Sequence, residues 1–131
     1  MPGFELIGKE EKREINEIFN NGGILFRHGF DSLRNNCFKV RSFEKAFSKK
    51  FDDRDSLAVT SGTAALRVAL ASLSIGKGDE VITQSFTFVA TVEAIIESGA
   101  SPVCTEIDET LNMDLESLRE KINSKTKAVI V

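Results

Sequence analysis

The residues best placed to do chemistry are Ser61, Gly62 and Thr63, within the stretch LAVTSGTAALRVALASL at 57–73. A β-branched run stops at this triplet and passes into an Ala/Leu-rich segment whose only charge is Arg67. If the triplet opens a helix, the first N–H groups have no intrahelical acceptor and lie at the positive end of the helix dipole. Such a place favours an anion, phosphate among them. Gly62 lets the backbone approach a ligand closely, and the Ser61 and Thr63 hydroxyls add donors. The plainer reading of the same triplet is an ordinary N-cap, and on the triplet alone that reading is favoured.

Its surroundings raise the odds for a ligand. The segment after the triplet is apolar almost all round, as in a helix buried on more than one side. The stretch TQSFTFVAT at 83–91 then puts Phe86 and Phe88 just past the next apolar run. An aromatic ring near an anion-holding turn suits a flat ring that carries a phosphate, a description met by pyridoxal phosphate and by a nucleotide. Core packing is the plainer role for a Phe in a chain with ten Phe and no Trp or Tyr, and we expect it for Phe86.

The elements that must position these residues can be read from periodicity. Ile15, Ile18 and Phe19 at helical spacing predict a short amphipathic helix over 9–19, stopped by NNGG at 20–23. Residues 24–38 show no clear period and read as an irregular arm. Val40, Phe43, Phe47 and Phe51 predict an amphipathic helix over 40–51. Alternating units follow, with strands expected at 56–60, 80–83, 102–107 and 127–131. Helices are expected at about 63–74, at 87–98 with its stop at Gly99, and from an Asp114 cap to Ile122. Strands alternating with helices predict an α/β fold, a mostly parallel sheet with helices on both faces. We divide the chain into an N-terminal helix and arm, 1–39, and the front part of an α/β domain, 40–131. The chain stops on an apolar strand, so we expect a truncated part of something larger.

Composition excludes several classes. Lys and Arg number 17 against 20 Asp and Glu, a net charge of -3 with no basic stripe, so nucleic acid is not an expected partner. Cys37 and Cys104 form no CxxC and make no close pair with the single residue His28, so neither a metal site nor a redox pair is indicated. No apolar run is long enough to span a bilayer and the N-terminus has no apolar signal region, so we expect a soluble cytoplasmic protein with no membrane partner.

The ordered motifs SGTAAL, GKGDEVIT, SFTFVAT, GASPV and TKAVIV, preceded by VRSFEKAFSKKF, resemble the DegT/DnrJ/StrS family of sugar aminotransferases, from about Val40 to the end. The resemblance implies the front part of the large domain of a fold-type I pyridoxal-phosphate enzyme. The opening MPGFELIGKEEKREI with ILFRHGFD is similar to a narrower branch that aminates a keto-octulosonate sugar acid. By this resemblance the Gly62 and Thr63 amides hold the cofactor phosphate, Ser61 shapes the turn, and Phe88 stacks on the pyridine ring. The implied reaction moves an amino group from glutamate or glutamine to a keto-sugar, in sugar or cell-surface polysaccharide precursor biosynthesis. The family's active sites are shared across a dimer, which implies a homodimer or larger self-association and lets Arg27 or His28 of the arm meet a substrate carboxylate; the plainer reading makes both surface residues.

The chain also departs from the family's pattern. The catalytic lysine, and the Asp that pairs with the pyridine nitrogen, follow the segment that matches 127–131. No catalytic residue is therefore assigned here, the lysines present read as solvated, and 131 residues alone are expected to be inactive. The rival readings are a non-catalytic fragment or interaction module that self-associates through its exposed sheet, and a nucleotide-binding doubly wound domain. The last lacks GxGxxG after the first expected strand and any GxxxxGK[ST].

Overall fold

The computed structural model describes residues 3–52 and 54–131. The chain forms two compact units, Met1–Ala58 and Val59–Val131, so the second long helix falls with the arm.

In the N-terminal unit, helix α1 spans Lys9–Asn20. Glu11 reaches back to accept the Gly8 N–H at 2.7 Å, which satisfies one of the donors a helix start leaves free. The helix stops where expected, because Gly22 and Gly23 take positive φ values of 99° and 65°. A side chain at Gly22 would overlap the Leu33 carbonyl oxygen, so the arm folds back closely over this turn. The arm contains one 3-10 turn, Asp31–Leu33, and is organised by the buried residue Arg34, which donates to the carbonyls of Gly29 (2.8 Å) and Phe26. Helix α2 spans Lys39–Lys50. Its first residue holds it to α1: Lys39 Nζ donates to Glu14 at 2.6 Å and Glu17 at 2.7 Å. These bonds raise the Lys39 pKa above its ordinary value and lower that of Glu14. Phe43, Phe47 and the C-cap Phe51 line one side of α2 as tilted rings, with centroids 5.8 and 4.6 Å apart, yet all three remain exposed.

The C-terminal unit runs α3 (Gly62–Ser72), β1 (Glu80–Gln84), α4 (Val89–Glu97), β2 (Ser101–Thr105), α5 (Leu115–Lys121) and β3 (Thr126–Ile130). Both strand pairs are parallel and the order is β2-β1-β3. The β1 to β2 and β2 to β3 crossovers run in opposite senses across the sheet, and right-handed connections then put α4 and α5 on opposite faces. Val81 alternates with Ile82, and its face packs against Leu70, Ile75, Ala94, Ile95 and Ala100, with Leu66, Ala128 and Ile130 partly buried around them. Burying one such aliphatic side chain contributes about 1.5–3 kcal/mol. Asp114 caps α5 as expected, its Oδ1 accepting the Ser117 N–H at 2.7 Å.

One expected strand is absent. Residues 56–60 lie outside the sheet, with no ladder partner among the described residues. A β-branched run becomes a strand only when a neighbour completes its hydrogen bonds, and here β2 and β3 each pair with β1 alone. The buried helix expected after the triplet is also buried on one side only: Leu70 faces inward, while Val68 and Leu73 are exposed.

Candidate functional site

Ser61 is the N-cap of α3, with extended backbone (φ -162°, ψ 165°). Its Oγ accepts the Ala64 N–H at 3.1 Å and its carbonyl oxygen accepts the Ala65 N–H at 3.0 Å. The N–H groups of Gly62 and Thr63, the two residues just before, have no acceptor among the described residues. Ser61 and Gly62 are exposed, and a Cβ built on Gly62 would meet nothing within 4 Å. Two adjacent free amides at the positive end of an eleven-residue helix, open to solvent, can take an anion.

Helix α4 places the aromatic candidate. Phe88 is its N-cap, and the Phe88 carbonyl accepts the Thr91 N–H at 3.0 Å. The loop before it is held by Gln84 Nε2, which donates to the Phe86 carbonyl at 2.8 Å, and by the Ser85 N–H, which donates to the Thr105 carbonyl at 3.0 Å. Phe88 is 77% exposed, which leaves its ring accessible to a planar partner. Phe86, expected in the core, is 60% exposed; it lies in the loop after β1, beyond the layer that α3 and α4 cover.

α3 and α4 present their N-termini at one end of the unit. Arg67 of α3 pairs with Glu97 in the last turn of α4. Beyond α3, a Cβ on Gly76 would lie 3.5 Å from the Ser98 carbonyl oxygen, and one on Gly99 would lie 3.4 Å from the Lys77 amide. The helices therefore end side by side and run the same way, with their free amides toward the carboxyl end of the sheet, where ligands of open α/β sheets bind. At that end of β1 is a group the sequence reading missed. The Thr83 hydroxyl is fully buried with no hydrogen-bond partner among the described residues, at a cost of about 1–3 kcal/mol. Its one signal in the sequence is a hydroxyl at the end of an otherwise aliphatic Val-Ile-Thr run.

Arg27 and His28 belong to the N-terminal unit. Arg27 is already engaged: Nε and NH2 donate to Glu44 Oε1 at 3.1 and 2.6 Å, and NH1 lies 3.2 Å from His28 Nδ1. His28 is exposed. Among the described residues no group of three or more His, Cys, Asp or Glu is placed to hold a metal, and no helix is long and apolar enough to cross a membrane.

Residues 7–131 match the DegT/DnrJ/EryC1/StrS aminotransferase family. The chain belongs to that family. Among its relatives, the spore coat polysaccharide biosynthesis protein SpsC of Bacillus subtilis (strain 168) is 42% identical over 126 residues, covering 95% of this chain and 30% of that protein. The GDP-perosamine synthase of Vibrio cholerae is 36% identical over 121 residues, covering 92% and 30%. Of solved structures, 3-amino-5-hydroxybenzoic acid synthase superposes with a TM-score of 0.84 at 31% identity, covering 98% of this chain and 32% of that one. An aminotransferase from Psychrobacter cryohalolentis gives 0.79 at 31% identity, covering 94% and 29%. The α/β fold is thus that of the family's aminotransferases, and the chain spans about 30% of the length of the curated relatives it matches.

Proposed function

We propose that these residues form the phosphate- and ring-binding part of a pyridoxal-phosphate-dependent sugar aminotransferase. The observation that carries this reading is the pair of unpartnered amides at Gly62 and Thr63 on a helix whose N-terminus points the same way as that of the helix Phe88 caps. The chemistry fits the cofactor, since the amides and the helix dipole suit a phosphate dianion, and the bare Gly62 leaves room for it. The bound cofactor would supply the electron sink for moving an amino group. This chain's residues would bind and orient it: Ser61 shapes the turn by taking the Ala64 amide, Gly62 and Thr63 would hold the phosphate, and Phe88 would offer its face to the ring. Fixing the ring in this way is the positioning on which proton removal depends.

The covalent lysine is not assigned to this chain, where Lys77, Lys125 and Lys127 are exposed. In this reading the acceptor is a keto-sugar and the donor glutamate or glutamine, as the family resemblance implies; the likeness to a polysaccharide biosynthesis protein and to a perosamine synthase supports the sugar. A substrate carboxylate would compete with Glu44 for Arg27, so of the two arm candidates His28 is the freer to reach it. Self-association fits the apolar surface of the C-terminal unit, where Leu73, Val89, Ile96 and Val131 are exposed.

The test compares pyridoxamine 5'-phosphate with pyridoxamine by equilibrium dialysis, since neither amine condenses with surface lysines. The phosphate ester should bind at least about tenfold tighter, as one charge-assisted hydrogen bond is worth roughly 1.5–3 kcal/mol. Equal affinities would remove the basis of the proposal.

A further inference from the structure

Glu44 is the only buried residue of α2, a helix whose other charges are mostly exposed. A buried carboxylate is costly unless donors converge on it. Three do so, all on Oε1: Arg27 Nε at 3.1 Å, Arg27 NH2 at 2.6 Å and the Ala58 backbone N–H at 2.8 Å. One oxygen thus holds the arm and the segment carrying Ala58 to the same helix. The Ala58 amide in particular lowers the Glu44 pKa, with Arg27 second.

The place of Ala58 in the chain gives this bond its consequence. Residues 56–60 have no strand partner among the described residues, so no ladder fixes their backbone. Ala58 is the last residue before Ser61 whose amide has an acceptor there, because Val59 and Thr60 donate to nothing described. We propose that Glu44 is a positioning residue for the Ser61–Gly62–Thr63 turn, acting through the Ala58 amide; in its bearing on ligand binding this rests on the reading of the turn as a phosphate site. With the tether in place, only Val59 and Thr60 separate a fixed amide from the N-cap, so few backbone torsions need ordering when the turn closes on an anion. Without it, the whole run from about residue 54 has to be ordered at that moment.

Amide hydrogen exchange on the 131-residue chain tests this without a ligand. The Ala64 and Ala65 amides report the turn, since they bond to Ser61 Oγ and Ser61 O, and the Val81 amide reports the core of the C-terminal unit. Glu44→Ala should speed exchange about tenfold at Ala58, Ala64 and Ala65, and leave Val81 unchanged. Glu44→Gln keeps an oxygen for the Ala58 amide, and Arg27→Ala leaves that bond intact; both should loosen the arm while Ala58 and the turn stay protected. If Glu44→Ala does not fold, Glu44→Leu, which fills the buried position but also lacks an acceptor for the Ala58 amide, takes its place. Turn protection that fails to follow Ala58 protection across the folded variants overturns the proposal, whichever way it fails. Pyridoxamine 5'-phosphate affinity, measured on the same samples, should fall only where Ala58 is released. A wild-type chain that does not bind that compound would sink the phosphate-site reading, while the exchange rates would still decide the role of Glu44.

Discussion

Gly62→Ala separates a helix cap from a phosphate cup, because the two assign opposite signs to the change. Gly62 is the first residue of α3, is not in the positive-φ region, and would carry a Cβ that touches nothing within 4 Å. For folding alone, alanine is then the better residue. It restricts the unfolded chain and improves helix propensity, so stability should rise by about 0.5 kcal/mol, or roughly 2–4 °C in melting temperature for a unit of this size. For a ligand, the same open space is the approach to the Gly62 and Thr63 amides, and a methyl group there pushes the anion off the backbone. Losing one charge-assisted hydrogen bond of about 1.5–3 kcal/mol weakens binding roughly ten- to a hundredfold. Scanning calorimetry and equilibrium dialysis with pyridoxamine 5'-phosphate, run on one preparation, read both signs. An unchanged dissociation constant would leave the triplet a plain N-cap, and a melting point lowered by several degrees would contradict the open geometry at Gly62.

Phe88→Ala should leave the melting temperature within a degree or two, because the ring is mostly exposed, yet weaken the same ligand about two- to tenfold if the ring stacks on it; a normal affinity would free Phe88 from that role. Ile95→Ala, at a fully buried position of the sheet core, should destabilise the C-terminal unit by about 2–5 kcal/mol in urea titrations, and a loss under 1 kcal/mol would mean that the α3–α4 layer packs more loosely than described. The ties of the N-terminal unit should hold between acid and alkaline limits. Glu14 and Glu44 have pKa values below the ordinary 4.5, so their contribution is present above that pH and is lost as pH falls through the lowered values; Lys39 is raised above 10.5, so its contribution is present below that pH and lost well above it. Carboxyl titrations followed by NMR should give midpoints under 4.5 for Glu14 and Glu44, and midpoints at or above that value would deny the bonds to Lys39 and Ala58.

The helices were legible because their signals are local. The Ile15, Ile18, Phe19 spacing, the glycines after α1, the Asp114 cap and the stop at Gly99 each act within a turn or two of chain, and the observed elements follow them. The segment at 56–60 was misread because its β-branched composition describes a side-chain preference, whereas a strand also requires a neighbour that composition cannot name. Phe86 was misplaced for a similar reason: aromatic character does not tell a core position from a loop beyond the core. Nothing in Phe-Glu-Lys marks Glu44 as buried. On a helix so rich in charge it reads as one more solvated residue, and only the return of Arg27 and Ala58 to the same oxygen gives it a function.

The sequence by itself determined most of the helices, the α/β class and the family, since these depend on periodicity, capping and ordered motifs along the chain. Tertiary structure decided which strands pair, that α3 and α4 point their free amides the same way, and that Arg27 is spent on Glu44 instead of standing free. These depend on groups far apart in the chain meeting in space, where a hydrogen bond or a buried charge is settled by which partner arrives and at what distance.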